Sequence, residues 1–210
     1  MYSNIFKNKQ IGVENVIDKK ELKLMLDRLD NGVDKFILAG LFYGLNDSDN
    51  REQLLNITKD MIDIEKSTIT LQSGKVVVMD EILRSVAEEA LNQKIYIKMG
   101  SHGRINEDYE FNPNSKYVIR VKPTTRNNNG VEPLTNAGFK SRIRSISEFL
   151  TGDVSALTPT EIKKAGAYSL IESQQKKMTI MEAESLLKAN GLSIRRNNLI
   201  PMLKEINGGV

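Results

Sequence analysis

The sequence predicts a mainly helical α+β domain with a small antiparallel sheet. Three observations carry that prediction. Apolar residues recur at helical spacing through most of the chain. A pair of β-rich runs flanks the turn Gln72-Ser73-Gly74, the pattern of a hairpin. Strands and helices are grouped rather than alternating as βαβ units, and no segment repeats.

Taken in order, residues 1–17 are polar and irregular and read as a tail or linker. Asp18 starts a helix in which Leu22, Met25, Leu26 and Leu29 share one face, and Asn31-Gly32 ends it. The next helix carries Phe36, Ile37, Ala39, Leu41 and Phe42, apolar almost all round, which marks a central core element closed by Gly44. A polar loop, Asn46-Asp47-Ser48-Asp49-Asn50, leads to a short helix with Leu54, Leu55 and Ile57. Thr68–Leu71 and Lys75–Met79 are the two hairpin strands. Asp80 caps a helix bearing Ile82, Leu83, Val86, Ala87, Ala90 and Leu91.

Residues 99–116 read as loop, Tyr117–Val121 as a short strand, and 122–133 as a mobile loop around Asn127-Asn128-Asn129-Gly130. A long amphipathic helix spans about Thr135 to Leu150, with Phe139, Ile143, Ile146, Phe149 and Leu150 inward. Thr158-Pro159-Thr160-Glu161 is a helix start: Thr158 as N-cap, Pro159 at the first position, Glu161 completing a capping box. That helix exposes Lys163 and Lys164. Two more helices follow, about Met181–Asn190 and Asn198–Ile206. The expected organisation is a domain over 18–175 and a C-terminal helical segment, 176–210, either part of that domain or an oligomerisation arm.

Composition narrows the function classes. There is no cysteine, which removes disulfides and thiolate metal sites and fits a cytoplasmic protein. The single histidine, His102, reads as a loop residue and leaves no His-based triad. Asp47, Asp49 and Glu52 lack the spacing of a calcium loop, so neither metal nor cofactor is expected. No apolar run is long enough to span a membrane and the first residues have no signal-peptide stretch. Charge is divided: residues 1–115 hold 15 Lys+Arg against 19 Asp+Glu, and residues 116–210 hold 15 against 8. A net +7 half on a chain of net +3 is the footprint of a polyanion binder.

The element order resembles the catalytic domain of tyrosine recombinases, the phage integrases and their relatives. In that family a buried helix ends in Gly-Leu-Arg, a hairpin carries a lysine, and a later helix begins His-x-Leu-Arg. Here Tyr43-Gly44-Leu45 ends the buried helix, Gly74-Lys75 matches the hairpin lysine, and Thr158-Pro159-Thr160-Glu161-Ile162-Lys163 aligns with the later helix start. A narrower resemblance is to the master repressors of SPbeta-like prophages. It rests on Leu29–Asp34, Tyr43-Gly44, Lys59–Asp63, Tyr117–Arg120 and Ile162–Gly166. The resemblance implies a tyrosine-recombinase-like fold and operator binding.

The departures from the family pattern bear on chemistry. Asn46 stands where the first arginine belongs, with Arg51 five residues on as a possible substitute. Thr160 and Lys163 replace the His and Arg of the second motif. Lysine is a point charge and cannot form the bidentate fork that clamps a phosphate. The tyrosines stand at 2, 43, 96, 109, 117 and 168, none in 169–210 where the resemblance places the nucleophile.

The sequence reading is therefore a non-catalytic DNA-binding regulator of a prophage or mobile element. Its alternatives are a divergent recombinase and a module that pairs with an integrase. Double-stranded DNA is the expected partner, with a homo-oligomer formed through the C-terminal segment. The candidate contacts are Lys75 on the hairpin, a stripe of Lys140, Arg142 and Arg144 on the long helix, Lys163 and Lys164, and Arg195-Arg196. Arg195-Arg196 is followed by Asn197-Asn198, residue types that read guanine and adenine edges. Pro201 weakens a helix-turn-helix reading there, because a proline is tolerated only in a helix's first turn.

Overall fold

Residues 17–45, 52–98 and 108–208 are described by the computed structural model. Asp18 caps α1 (Lys19–Asp27), its carboxylate accepting from the N–H groups of Lys20 and Glu21 at 2.7 Å. α2 (Gly32–Phe42) is apolar all round because almost every side of it is covered, with ten of its eleven residues buried. α3 (Glu52–Leu55) and a 3₁₀ turn (Lys59–Met61) lead to the sheet.

The expected hairpin is β2 (Thr68–Thr70) and β3 (Val76–Val78), paired antiparallel with Ile69 opposite Val77. A strand that the sequence does not announce, β1 (Ile62–Asp63), adds to β2 and makes a three-stranded sheet in the order β1-β2-β3. α4 (Glu81–Asn92) starts at Asp80, whose carboxylate accepts from the Leu83 N–H at 3.1 Å. β4 (Ile95–Tyr96) then pairs with β5 (Tyr109–Glu110) in a two-stranded ribbon, and β5 lies inside the 99–116 stretch that reads in sequence as loop.

Tyr117–Val121 is not a strand. It makes one bridge, Tyr117 with Thr58, and the Val118 N–H donates to the Ile57 carbonyl. Val118, Ile119, Arg120 and Val121 are all buried, so the apolar run records enclosure rather than a ladder. Within the expected loop, residues 125–130 form tight turns joined across a kink at Asn127–Asn129, where Asn128 and Asn129 take positive φ. Asn127 ties the segment together, accepting from Thr124 and Gly130 N–H and donating to the Lys122 carbonyl.

α5 (Asn136–Thr151) is capped by the Thr135 hydroxyl and closed by left-handed Gly152. Phe139, Ile143, Ile146 and Leu150 are inward as expected, while Phe149 is exposed. α6 (Pro159–Glu172) uses Thr158 as N-cap, but Glu161 pairs with Lys164 at 3.0 Å instead of completing a capping box. α7 (Ile180–Ala189) begins with a full capping box made by Thr179 and Glu182. α8 (Arg196–Ile206) starts two residues earlier than the sequence suggests. Pro201 therefore lies past its first turn, and the helix continues through it.

The main core runs from Leu22 to Ala165 and is centred on α2, which packs against α4 and α6. A second core begins at Ala167 within α6 and collects Ile171, Met178, Ala183, Leu187, Leu192, Leu199 and Leu203. α7 and α8 thus pack onto this chain's own α6.

Candidate nucleic-acid interface

α2 connects two polar regions, and close glycine contacts are found at both ends: at its start a Cβ on Gly32 would lie 2.6 Å from the Glu89 backbone. At its C-terminal end two glycines allow backbones to meet. A Cβ on Gly166 of α6 would lie 1.9 Å from the Phe42 carbonyl oxygen, and one on Gly44 would lie 2.2 Å from the Asn190 carbonyl. Gly44 is also left-handed, φ +67°. The α7–α8 turn, Asn190 to Leu192, therefore sits directly on Tyr43-Gly44. Lys163 lies one turn before Gly166 on α6 and is half-buried, and Arg195-Arg196 follow the α7–α8 turn in the chain.

Tyr43 donates from its hydroxyl to Asp80 at 2.7 Å, and Lys19 donates to the same carboxylate oxygen at 2.8 Å. Burial, and then Asp80 itself, push the Tyr43 hydroxyl well above its ordinary pKa. Tyr168 on α6 donates to Glu205 at 3.3 Å, and burial with the carboxylates of Glu205 and Glu172 raises it as well.

The expected basic positions separate into groups. Lys75 follows the β2–β3 turn and its ammonium nitrogen is enclosed rather than projected to solvent. Lys140 and Arg144, four apart on α5, are exposed on one face. Arg142 is not part of that stripe. A spacing of two turns it to the other side of the helix, and its side chain is only 10% exposed. Lys163 and Lys164 are half-buried rather than exposed, and Lys164 is paired with Glu161. Arg195 is exposed at the α8 N-cap. Arg196 is exposed and forked onto Glu184, with bonds of 2.7 and 3.1 Å that raise the Arg196 pKa and lower that of Glu184. Asn46, Asp47, Asp49, Arg51, His102 and Tyr2 lie outside the described residues, as do the Glu52 side chain and nearly all of the 1–17 tail.

At the N-terminal end of α2 lies a buried network that the sequence does not announce. Asn31 is fully buried. Its amide nitrogen donates to the Ile97 carbonyl at 2.7 Å, and its oxygen accepts from Ile97 N–H and from Gln93, each at 2.8 Å. Asp34 is fully buried, with Arg142 Nε 3.5 Å from Oδ1. Among the described residues neither Asp34 oxygen accepts a hydrogen bond of ordinary geometry, although Tyr96 and Asn31 face it. Burial pushes the Asp34 carboxyl above its usual pKa, opposed first by Arg142.

The Arg142 guanidinium lies 5.0 Å from the centre of the Tyr96 ring, and Tyr96 stacks on Tyr109 at 4.9 Å. Its Nη atoms donate at 3.3 Å to the Arg120 carbonyl and the Tyr109 hydroxyl. Arg120 is itself buried, over the Phe111 ring and bonded to the Ala90 carbonyl. The signal available in sequence is a lone acid in an apolar helix and a lone arginine in the apolar run 118–121.

The family described as "MrpR, C-terminal catalytic domain" matches residues 16–206. No curated protein matches. Among solved structures the chain is similar to the crystal structure of XerA recombinase, with a TM-score of 0.53 and 15% identity over 90% of this chain. The match covers 63% of that recombinase's length, and at this identity it shows the shared fold. The expected fold class is thereby met: a tyrosine-recombinase catalytic-domain-like scaffold, mainly helical with a small antiparallel sheet. Among the described residues, no helix is long and apolar enough to cross a membrane.

Proposed function

This chain belongs to the MrpR C-terminal catalytic-domain family, and from that premise we propose that it is a non-catalytic, sequence-specific DNA-binding protein. Its role is regulatory, that of a repressor in a prophage or mobile element, as in the master repressors of SPbeta-like prophages that its sequence resembles. The observation that carries the DNA-binding half of this reading is the distribution of cations. Lys140 and Arg144 stand together on the outer face of α5, and Arg195 and Arg196 begin α8, all in the half of the chain with net charge +7. Phosphate contacts from these residues hold the protein on the duplex; base contacts from the Arg195–Asn198 segment supply sequence preference. Lys163 and Lys164 are secondary contacts, the enclosed Lys75 ammonium needs its side chain to turn outward before it can reach a phosphate, and Arg142 acts from beneath as a support for α5. The protein works in the cytoplasm, and a second copy joins through the α7–α8 segment on the operator.

Two features support the absence of strand transfer. Residues 169–210 contain no tyrosine, and Thr160 and Lys163 stand where the family carries His and Arg. The family description, which reads "catalytic domain", favours one competing reading, a divergent recombinase.

One set of measurements separates them. Gel shifts on duplex DNA at rising salt are expected to show binding that falls steeply. The double charge reversal Lys140→Glu, Arg144→Glu is expected to lower the log–log salt slope by about 0.9 per lost contact. Absence of binding even at low salt refutes the proposal. A covalent protein–DNA adduct on a nicked suicide substrate establishes the recombinase instead.

A further inference from the structure

The network around Arg142 opens onto a cleft of about 610 Å³ between the β4–β5 ribbon, the 122–127 segment and the start of α5. That volume suits a small molecule. Its lining includes Arg142, Lys98 and Lys122 and, among the described residues, no carboxylate. The hydroxyl-bearing Thr124, Thr135, Ser141 and Ser145 line it too, and so does the first turn of the sixteen-residue helix α5.

Arg142 is the centre of the case. Its charge is shared with Asp34, but only across 3.5 Å, and its Nη donors are spent on two neutral oxygens at 3.3 Å. These are long contacts for a guanidinium, which bonds to an oxyanion at about 2.7–2.9 Å. An anion entering the cleft offers Arg142 better partners than it now has. Lys122 stands at the rim, exposed, 5.7 Å from the centre of the Tyr109 ring. The backbone beneath Lys122 is fixed, because its carbonyl accepts from Asn127 at 2.7 Å. The donors come from a loop, a helix face and a helix start rather than from one plane, which fits a tetrahedral anion better than a flat carboxylate.

We propose that this cleft binds the phosphate group of a small phosphomonoester, with Arg142 and Lys122 as its cationic contacts and the α5 N-terminus beside it. The site is separate from the exposed Lys140–Arg144 face and does not depend on duplex binding. Through the Arg142–Asp34 pair its occupancy is felt at the N-terminal end of α2, about 16 Å from the Gly44 end at 1.5 Å per residue.

The test is isothermal titration of the whole chain with inorganic phosphate and with adenosine monophosphate, against sodium chloride of matched ionic strength. Saturable binding of a phosphate probe is expected, weakened roughly tenfold or more by Lys122→Glu, a change at an exposed position. Ser145→Trp, which fills the cleft without touching a charge, is expected to weaken it similarly. The proposal is overturned if neither probe binds saturably, or if both variants bind as the parent does. It is also overturned if a short duplex displaces the phosphate and Lys122→Glu lowers duplex affinity equally, since the cleft is then part of the DNA groove.

Discussion

Both ends of the buried helix α2 bring backbones together at a glycine, Gly32 against the Glu89–Ala90 backbone and Gly44 against the Asn190 carbonyl, but they differ in what surrounds that contact. At the Gly44 end the Phe42 and Asn190 carbonyls occupy the space where Gly166 and Gly44 would carry a Cβ, with the Tyr43–Asp80–Lys19 hydrogen bonds alongside. The Gly32 end is crowded with polar and aromatic groups, among them Asn31, Asp34, Gln93, Tyr96, Tyr109 and Arg142. The first arrangement is dominated by backbone packing, and its titratable groups, Tyr43, Asp80 and Lys19, are bonded to one another. The second is sensitive to protonation, because a buried carboxylate and a buried guanidinium must keep each other's charge compensated.

The comparison breaks most violently at Gly166. Gly166→Ala places a methyl 1.9 Å from a backbone oxygen that cannot swing away. The expected loss is about 4 kcal/mol or more, the range of overpacked cores at their worst. A urea midpoint near that of the parent contradicts the close approach. Acidification is not expected to rescue this variant, since the clash is with a backbone carbonyl that carries no titratable group.

The polar end behaves differently. Arg142→Gln leaves Asp34 buried without its counter-charge, and a loss of about 3–5 kcal/mol is expected near neutral pH. The double change Asp34→Asn, Arg142→Gln removes both charges at similar volume and is expected to recover most of that loss. The pH sign follows from the direction of the Asp34 shift. Its folded-state pKa is raised by burial, so the folded form holds the proton more tightly than the unfolded one. That contribution is complete below the ordinary carboxylate value of about 4 and is lost as pH rises through the raised folded value. Arg142→Gln raises it further, so its penalty is expected to shrink on acidification, and Asp34→Asn is expected to abolish that dependence. Urea titrations of the three proteins at two pH values decide it. Asn31→Ala is a smaller test of the same end, at about 2–3 kcal/mol, since it leaves the Ile97 backbone and Gln93 without their partner.

The contrast between the ends also explains what is legible in the sequence. Helices can be read where a stripe, a cap and a stop agree, as at Asp18, Asp80, Thr135 and Thr158. The strands β1, β4 and β5 cannot, because each is two residues long and two positions show no periodicity. Tyr117–Val121 reads as a strand because a fully enclosed run and a buried strand have the same composition. Arg142 reads as part of a basic stripe because charge alone does not say which way a side chain turns; its partner Asp34 is 108 residues away in sequence. The glycine contacts are invisible for the same reason. Gly44 reads as a helix stop, which it is, but its second role depends on Asn190 arriving from the far end of the chain.

The smallest effect on stability belongs to Arg196, and it is the most informative about function. The Arg196–Glu184 pair is geometrically good, yet its side chains are 62% and 37% exposed. Exposed pairs contribute about 0–1 kcal/mol, so Arg196→Ala is expected to leave the urea midpoint almost unchanged. Its effect on DNA affinity is expected to be much larger, because Arg196 begins α8 immediately beyond the turn that seats on Gly44. Glu184→Gln tests the converse. It frees the guanidinium of Arg196 and removes a negative charge beside it, so duplex binding is expected to tighten while stability again barely moves. If both substitutions leave affinity unchanged, the Gly44 end of α2 serves only to hold α7 and α8 in place, and the DNA contacts belong to Lys140 and Arg144 alone.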